Sequence, residues 1–130
     1  DTLPGAFLKV KWFTHVLGES RLTFFAARKL LPQLRGRFPR SLHGAPLLVP
    51  LEGSPMRQTL EQWLRANRVV PVVQAEIEDS TLIKEFGQAG DGVFAMPSVI
   101  EEEVCKRYGV RVLGRSGQHR MRFHAITPER

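Results

Sequence analysis

Four oxygen-bearing side chains stand together in the segment Glu78-Asp79-Ser80-Thr81, directly before an apolar helical pattern. Carboxylate and hydroxyl oxygens are the ligands that small hard cations prefer, so this segment is a candidate Na⁺ or Li⁺ site with Asp79 as the metal ligand. A bare helix start attracts anions, but Glu78 and Asp79 already place negative charge there and repel a carboxylate effector. The competing interpretation is local, because Asp79 and Ser80 also stand where a helix N-cap belongs.

Two further positions are candidates because of where they stand among the predicted elements. Ser54 begins the clearest helical segment, and Met96-Pro97 ends a short apolar run that is typical of a buried strand. Ligands of open α/β sheets bind beyond the carboxyl ends of strands, where the following helices start. Simple capping or turn formation is the alternative at each position. The predicted ligand site consists of Glu78, Asp79, Ser80, Thr81, Ser54, Met96 and Pro97.

The sequence contains no assembled catalytic or cofactor-binding group. Its single cysteine, Cys105, follows Glu101-Glu102-Glu103 in a predicted helix, a setting that raises a thiol pKa. The three glutamates fit a solvated first helical turn better than a metal site, since the helix dipole favours acidic residues there. Gly90-Asp91-Gly92 is too short for a dinucleotide fingerprint, so we expect no enzyme activity and no cofactor apart from Na⁺ or Li⁺ as an effector. No metal-ligand spacing relates the cysteine to the histidines, which are His15, His43, His119 and His124.

Composition limits the chain to one compact domain or one lobe of a larger one. It has 130 residues, of which 42% are hydrophobic, enough for a core. No apolar run approaches the roughly 20 residues that cross a membrane, and no signal peptide is visible. The single cysteine suits a reducing compartment, so we expect a bacterial cytoplasmic protein without a membrane partner. Because the chain starts with Asp1 rather than Met, we expect a fragment of a longer protein.

The net charge of +6 is concentrated in the first half of the chain. Residues 1–70 hold 11 Lys/Arg and 4 Asp/Glu, whereas residues 71–130 hold 8 and 9. A basic half attracts nucleic acid or another polyanion, but a solvated helix face is the preferred explanation of the basic run. Since no groove-reading element is visible, we predict no DNA-binding residue in this chain. The basic run consists of Arg28, Lys29, Arg35, Arg37 and Arg40.

Strand and helix patterns alternate along the chain with short loops between them. The first two predicted strands form an antiparallel pair, and residues 114–118 form a polar loop. The alternation predicts an α/β fold with a mixed, mostly parallel sheet flanked by helices. The predicted strands cover residues 7–16, 22–26, 47–49, 69–77, 93–96, 110–113 and 121–126.

Helical periodicity and end signals predict four helices. The first covers residues 28–37 with Pro32 in its first turn, and the second starts from the N-cap Ser54. The third starts from Asp79 or Ser80, and the fourth runs from a capping box of Ser98 and Glu101 to a stop at Gly109. The predicted apolar faces are Met56, Leu60, Trp63 and Leu64 on the second helix, and Leu82, Ile83, Phe86 and Ala89 on the third.

The segment of residues 88–97 also has a family pattern, in which a helix ending in Ala89-Gly90-Asp91-Gly92-Val93 leads into a strand and Pro97. It resembles the effector-binding domain of LysR-type bacterial transcription regulators. Shorter matches, in order along the chain, are similar to the NhaR branch, whose members activate sodium/proton antiporter genes. These matches are Gly53-Ser54, Leu60-Glu61-Gln62-Trp63, Asp79-Ser80, Lys84-Glu85-Phe86-Gly87-Gln88-Ala89-Gly90 and Phe123-His124-Ala125-Ile126.

The resemblance implies a periplasmic-binding-protein-like fold of two lobes with the ligand in the cleft between them. It implies that residues 1–130 form the second lobe with a hinge strand near each end, and that a helix-turn-helix domain and the first lobe precede Asp1. The whole regulator is then expected to bind DNA through that missing domain, as a dimer or tetramer, and to respond to Na⁺, Li⁺ or another small effector. The alternative is the solute-binding module of a transporter or of another sensor with a small-molecule ligand.

Overall fold

A computed structural model describes residues 21–116 of the chain. Its strands and helices alternate as the sequence predicts, and three short 3-10 helices lie among them. The strands are β1 (Leu22–Ala26), β2 (Pro46–Val49), β3 (Val72–Glu76), β4 (Phe94–Pro97) and β5 (Arg111–Arg115). The α-helices are α1 (Pro55–Ala66), α2 (Ser80–Gln88) and α3 (Glu101–Tyr108). The 3-10 helices are Arg28–Gln33, Arg40–Leu42 and Ser98–Ile100.

The strands form a mixed sheet, as predicted. β1 lies between β4 and β5 and runs antiparallel to both, whereas β2 and β3 are parallel. A parallel bridge between Leu47 and Val93 joins the two groups, with the Leu48 N–H donating to the Val93 carbonyl at 2.8 Å. Within residues 21–116 the parallel part is smaller than expected, because β1 meets strands of opposite direction on both of its sides.

The two faces of the sheet are covered by different helices. Phe24 and Phe25 are neighbours in β1 and both are buried, so they point to opposite faces. The Phe24 ring packs against Trp63 of α1 with centroids 4.8 Å apart, whereas Phe25 stacks on Phe94 at 5.2 Å. Gly87 of α2 lies directly over the Phe94 ring. Helix α1 therefore covers the Phe24 face and α2 covers the Phe25 face.

Helix α3 lies beside α2. The Gln88 side-chain amide donates to the Tyr108 carbonyl at 3.1 Å, and the Lys84 ammonium lies 5.7 Å from the centre of the Tyr108 ring. These contacts join the end of α2 to the end of α3, so both helices lie on the Phe25 face. No helix within residues 21–116 is long and apolar enough to cross a membrane.

Three of the helix boundaries that local signals predicted are confirmed. The Ser54 side chain accepts a hydrogen bond from the Arg57 N–H at 3.2 Å and so caps α1. The Asp79 carboxylate accepts from the Thr81 N–H at 2.8 Å and caps α2. Gly109 follows α3 with a left-handed φ of 67°, the conformation that favours glycine at a helix end.

The predicted helix over residues 28–37 is wrong. The chain forms a 3-10 helix at Arg28–Gln33 instead, and Pro32 is its fifth residue rather than a member of its first turn. Leu30 is buried, whereas Leu31 and Leu34 are only partly covered. The local spacing of the leucines favoured an α-helix, but of these leucines only Leu30 is buried in the core. The segment then turns and brings the Phe38 ring against Phe24, with the ring centroids 5.6 Å apart.

The predicted apolar face of α2 is only partly correct. Ile83 is buried, but Leu82 and Phe86 are 43% and 44% exposed, and Ala89 is exposed as well. The reason is the close approach of Gly87 to the Phe94 ring, which turns the stripe of Ile83 and Gly87 toward the sheet. Residues at i and i+4 share a face, so Leu82 and Phe86 lie together on the outer side.

Three other boundaries also differ from the prediction. Ser98 makes no capping bond, and α3 begins only at Glu101, so the predicted capping box is wrong. Strand β5 continues through Gly114 to Arg115 rather than turning into a loop, because a residue without a side chain lets the Phe38 ring pack there. The strand predicted over residues 69–77 spans Val72–Glu76. The predicted strands 7–16 and 121–126 lie outside the described residues.

Candidate functional site

The carboxyl ends of three strands meet at one edge of the sheet. β2 and β3 are parallel, and the Leu47–Val93 bridge gives β4 the same direction. The predicted site residues lie at the end of β4 or in the segments that follow β2 and β3, so they are all at the same edge. We call it the carboxyl edge; it includes Ser54, Glu78, Asp79, Ser80, Thr81, Met96 and Pro97.

The seven predicted residues are not equally available to a ligand. Glu78, Asp79, Ser80 and Thr81 are exposed, but one Asp79 oxygen already caps α2. Ser54 is partly buried and its hydroxyl caps α1. Met96 and Pro97 are buried and pair with Thr23 and Leu22 of β1. Within residues 21–116 no group of three or more His, Cys, Asp or Glu side chains is arranged to hold a metal ion.

An ion-pair network that the sequence analysis missed holds the loops after β2 and β3 together. The Glu76 carboxylate accepts from the Glu52 N–H at 2.7 Å and from the Arg57 guanidinium at 3.3 Å. Arg57 also donates to the Glu61 carboxylate and to the Pro50 carbonyl, both at 2.8 Å. The Arg57–Glu61 spacing of four residues on a helix was the signal available in the sequence. This network positions the start of α1 against the end of β3.

A second polar cluster, also missed, lies where β4 and β5 end. We call Thr23, Ser98, Glu101 and Arg115 the Thr23 cluster. The buried Thr23 hydroxyl donates to the Glu101 carboxylate at 2.8 Å and lies 2.7 Å from the Ser98 hydroxyl. Because threonine has a single O–H, the Ser98 hydroxyl must be the donor to Thr23. Arg115 closes the cluster with a two-bonded contact to Glu101, of which the Nε bond is 2.8 Å.

The described part of the chain enters and leaves at this same edge. The Leu22 N–H donates to the Ser116 hydroxyl at 2.8 Å, and the Ser116 N–H donates to the Leu22 carbonyl at 3.0 Å. The Ser98 N–H donates to the Arg21 carbonyl at 2.8 Å. Arg21 and Ser116 therefore lie side by side at the carboxyl edge, next to the Thr23 cluster.

Glu101 is not the solvated cap that its position after β4 suggested. Its side chain is only 22% exposed, while Glu102 and Glu103 are exposed as expected. The hydrogen bonds from Arg115 are the main reason that the pKa of Glu101 is lowered, and the Thr23 hydroxyl adds to this effect against the opposing effect of burial. Glu101 is therefore a charged member of the cluster rather than part of a solvated acidic run.

Replacing Glu101 with glutamine is expected to lower the free energy of unfolding at pH 7 by about 1–2 kcal/mol, because charge-assisted bonds to Arg115 are lost. A carboxyl group whose pKa is lowered by folding stabilises the protein above its unfolded pKa of about 4.3. That contribution disappears as the pH falls through the lowered folded pKa. The difference between variant and wild type should therefore shrink in acid.

Urea unfolding at pH 7 and at about pH 2 measures this difference. Glu102→Gln is the matched control, because Glu102 is the exposed neighbour of Glu101, and it should change the unfolding free energy by no more than about 0.5 kcal/mol. An equal cost of Glu101→Gln at both pH values would contradict a stabilising role of the carboxylate charge.

The pKa of the Cys105 thiol is raised, as predicted, but the main cause differs from the expected one. Burial is the largest effect that raises the pKa of Cys105, and the charge of Glu101 is the second. A raised pKa keeps the thiol protonated and weakly nucleophilic.

Among the four histidines, His43 makes a structural contact, because its Nδ1 accepts the Val70 N–H at 3.1 Å. The other three histidines lie outside the described residues.

The carboxyl edge carries more negative than positive charge. Seven carboxylates stand there against three guanidinium groups. The acidic residues are Glu52, Glu76, Glu78, Asp79, Glu101, Glu102 and Glu103, and the basic residues are Arg21, Arg57 and Arg115. Two of the three cations are ion-paired to Glu76 and Glu101, which leaves the Glu78-Asp79 segment without a described cationic partner in residues 21–116.

A mixed sheet with helices on both faces and loops gathered at one edge is an α/β fold of the periplasmic-binding-protein type. A family model described as the LysR substrate binding domain matches residues 11–130. The chain therefore belongs to the LysR substrate-binding domain family. No curated protein sequence matches the chain.

Solved structures share the fold at low sequence identity. The regulatory domain of CcmR from Synechocystis PCC6803, solved with 2-PG, is 18% identical with a TM-score of 0.60 over 72% of this chain and 46% of that one. The regulatory domain of HypT from Salmonella typhimurium is 24% identical with a TM-score of 0.56 over 75% and 46%. An ancestral arginine-binding protein bound to arginine is 13% identical with a TM-score of 0.52 over 75% and 42%. The matched part is under half the length of each of these structures.

Proposed function

We propose that the chain is the ligand-sensing second lobe of a LysR-type bacterial transcription activator. The family match over residues 11–130 supports this proposal. The observation that carries it is the carboxyl edge, where the loops after β2, β3 and β4 open beside the point at which the described chain enters and leaves. The first lobe, joined through Arg21 and Ser116, would face these loops and complete a cleft.

The same proposal covers the whole regulator. We place a helix-turn-helix domain and a first lobe before Asp1, with DNA contacts made by that domain, a dimer or tetramer as the working form, and the bacterial cytoplasm as its compartment. A ligand that prefers one relative pose of the two lobes shifts the population of poses by its difference in affinity. Because Arg21 and Ser116 lie side by side where β1 begins and β5 ends, a change of pose there would be transmitted through these two adjacent strands.

The effector that we propose is a small cation, Na⁺ or Li⁺, as in the NhaR branch. The excess of carboxylates at the carboxyl edge disfavours an anionic effector, since like charges repel in a partly desolvated cleft. Asp79 is the proposed ligand, because one of its oxygens accepts the Thr81 N–H while the side chain stays exposed. Glu78, Ser80 and Thr81 add oxygen atoms to the same exposed segment.

Thermal melting of the complete two-lobed domain at fixed ionic strength tests the cation. A ligand that binds only the folded state at about 100 times its Kd raises stability by about 2.7 kcal/mol, so NaCl or LiCl should raise the Tm above its value in KCl. Asp79→Asn should remove that rise, since the amide keeps the cap but loses the charge. Asp91→Asn is the matched control, because Asp91 is exposed at the opposite edge of the sheet.

The possible outcomes test the identity of the effector and the class of protein independently. A rise in NaCl that Asp91→Asn keeps and Asp79→Asn loses supports cation sensing at Asp79. Identical melts in the three salts reject the cation, and an organic effector then becomes the one to seek at the carboxyl edge. Failure of the whole regulator to bind any promoter DNA would reject the assignment as a transcription activator.

A further inference from the structure

The edge opposite the candidate site is strongly basic. Five arginines gather there, all exposed, and we call them the arginine patch: Arg35, Arg37, Arg40, Arg65 and Arg68. From Ser20 to Leu51 the sequence contains no acidic residue. Residues 62–75 contain none either. The lobe therefore has an acidic carboxyl edge and a basic amino edge.

Described contacts hold the arginine patch together. The Arg40 guanidinium donates to the Arg68 carbonyl at 2.8 Å, and the Arg68 N–H donates to the Arg65 carbonyl at 3.1 Å. A Cβ at Gly36 would lie 4.0 Å from the Arg40 Cβ, so Arg35 and Arg37, which flank Gly36, stand beside Arg40. The patch thus joins the segment before β2 to the segment between α1 and β3.

The patch lies at the amino ends of β2 and β3. The Gly44 N–H donates to the Val70 carbonyl at 2.9 Å, just before the pairing of Pro46 with Val72 that opens these strands. Helix α1 ends here, and it covers the Phe24 face of the sheet. The arginine patch is therefore separated from Asp79 by the length of the strands.

The positive charge of the patch is not neutralised by the described part of the protein. The ion pairs in residues 21–116 involve Arg57, Arg107 and Arg115, and none involves a patch arginine. Five guanidinium groups without carboxylates among them repel each other and raise the local positive potential. A polyanion is the class of partner that such a surface attracts.

We propose that the arginine patch binds the phosphate backbone of double-stranded DNA. A guanidinium group can donate two parallel hydrogen bonds to the oxygens of one phosphate. Double-stranded DNA carries about one negative phosphate charge per 1.7 Å of its axis. The described patch includes no helix aimed outward to read a groove, so binding should be independent of base sequence. The choice of DNA over another polyanion rests on the proposed function as a transcription activator.

Arg35, Arg37 and Arg40 of the basic run would then contact DNA and not only solvent. Phosphate contacts position a protein on DNA without reading sequence, so they add to the affinity of a separate sequence-reading domain. The two edges also serve different partners, since the effector site is acidic and the DNA-contacting surface is basic. Occupation of one leaves the other open.

Fluorescence anisotropy of the 130-residue chain with a labelled random duplex of about 30 base pairs tests the proposal between about 50 and about 200 mM KCl. Binding should weaken linearly on logarithmic axes as salt rises. The triple variant Arg35→Gln, Arg37→Gln, Arg65→Gln should weaken binding about tenfold at the lowest salt and reduce the salt slope by about 2–3. These side chains make no described contact within residues 21–116, so the fold should be kept, which far-UV circular dichroism checks.

A triple control removes the same charge from the same amino edge of the sheet but on the Phe25 face, away from α1. Lys106→Gln, Arg107→Gln, Arg111→Gln lies at the end of α3 and the start of β5, and it should change the affinity by no more than about twofold if the arginine patch is the site. Equal losses in both triples, or no binding of the wild-type chain at the lowest salt, would overturn the proposal. If polyglutamate binds the chain at least as tightly as DNA does, the proposal of DNA binding is also overturned, and an acidic protein becomes the favoured partner. These results do not depend on the effector, so the DNA proposal and the cation proposal can fail separately.

Discussion

Replacement of Phe24 by alanine is expected to lower the free energy of unfolding by about 3–5 kcal/mol. Phe24 is fully buried in β1, and its ring packs against Trp63 at 4.8 Å and Phe38 at 5.6 Å. Truncation removes the contacts that fix α1 to the sheet and leaves a cavity that the surrounding rings can fill only in part. Urea unfolding at pH 7, followed by far-UV circular dichroism, measures the change.

Phe86→Ala makes the same chemical change at an exposed position and is the matched control. Phe86 is 44% exposed on the outer side of α2, so its loss should cost no more than about 1 kcal/mol. Equal costs at the two positions would mean that the three-ring cluster of Phe24, Phe38 and Trp63 does not anchor α1. Because Thr23 precedes Phe24, the same variant should also disturb the Thr23 cluster at the carboxyl edge.

The starts of α1 and α2 and the end of α3 could be predicted because each depends on a few neighbouring residues. Ser54 bonds the N–H three residues later and Asp79 the N–H two residues later, so the sequence contains both partners within one turn. Gly109 adopts its left-handed φ for a local reason as well. Such signals need no knowledge of which strands pair.

The segment orientations could not be predicted, because they depend on partners far along the chain. Leu82 and Phe86 are four residues apart on the helix, and so are Ile83 and Gly87. Only the contact of Gly87 with Phe94 decides which of the two pairs faces the sheet. Residues 28–37 have an apolar pattern of leucines, yet the requirement to place Phe38 against Phe24 converts the segment to a short 3-10 helix. Tertiary packing overrides local propensity in both cases.

The candidate site shows the same division. The segments after β2 and β3 were predicted as site segments because helices start there, and the end of β4 from a rule about strand ends; parallel pairing through Leu47 and Val93 brings all three to one edge. The Thr23 cluster was missed because Thr23 and Glu101 are 78 residues apart and neither has a local signal of their bond. Glu101 in particular resembled a solvated helix start until its pairing with Arg115 was visible.

The separation of charge between the two edges could be foreseen only in part. The sequence shows the basic first half, but the strand directions decide that five of its arginines gather at the amino edge, opposite Asp79. Long-range attraction depends on such summed charge rather than on single pairs. Such a separation would let the protein attract the proposed cation at one edge and the proposed DNA at the other.

Replacement of Gly87 by alanine is expected to lower the free energy of unfolding by about 2–3 kcal/mol, although alanine favours a helix more than glycine does. A Cβ at Gly87 would overlap the Phe94 ring, which is fully buried and stacked on Phe25 at 5.2 Å. The ring has no open space to enter, so α2 must move away from the sheet. Because Asp79 caps this same helix, the displacement should also weaken the proposed response to Na⁺ or Li⁺.

A double-mutant cycle with Phe94→Leu separates this clash from other effects of the substitution. Leucine lacks the ring that a Cβ at Gly87 would meet, so Gly87→Ala should cost at least about 1 kcal/mol less in the Phe94→Leu background than in wild type. Urea unfolding of the four proteins gives the interaction energy. Equal costs in both backgrounds would show that α2 does not rest on Phe94. The rotation of α2 that exposes Leu82 and Phe86 would then need another cause.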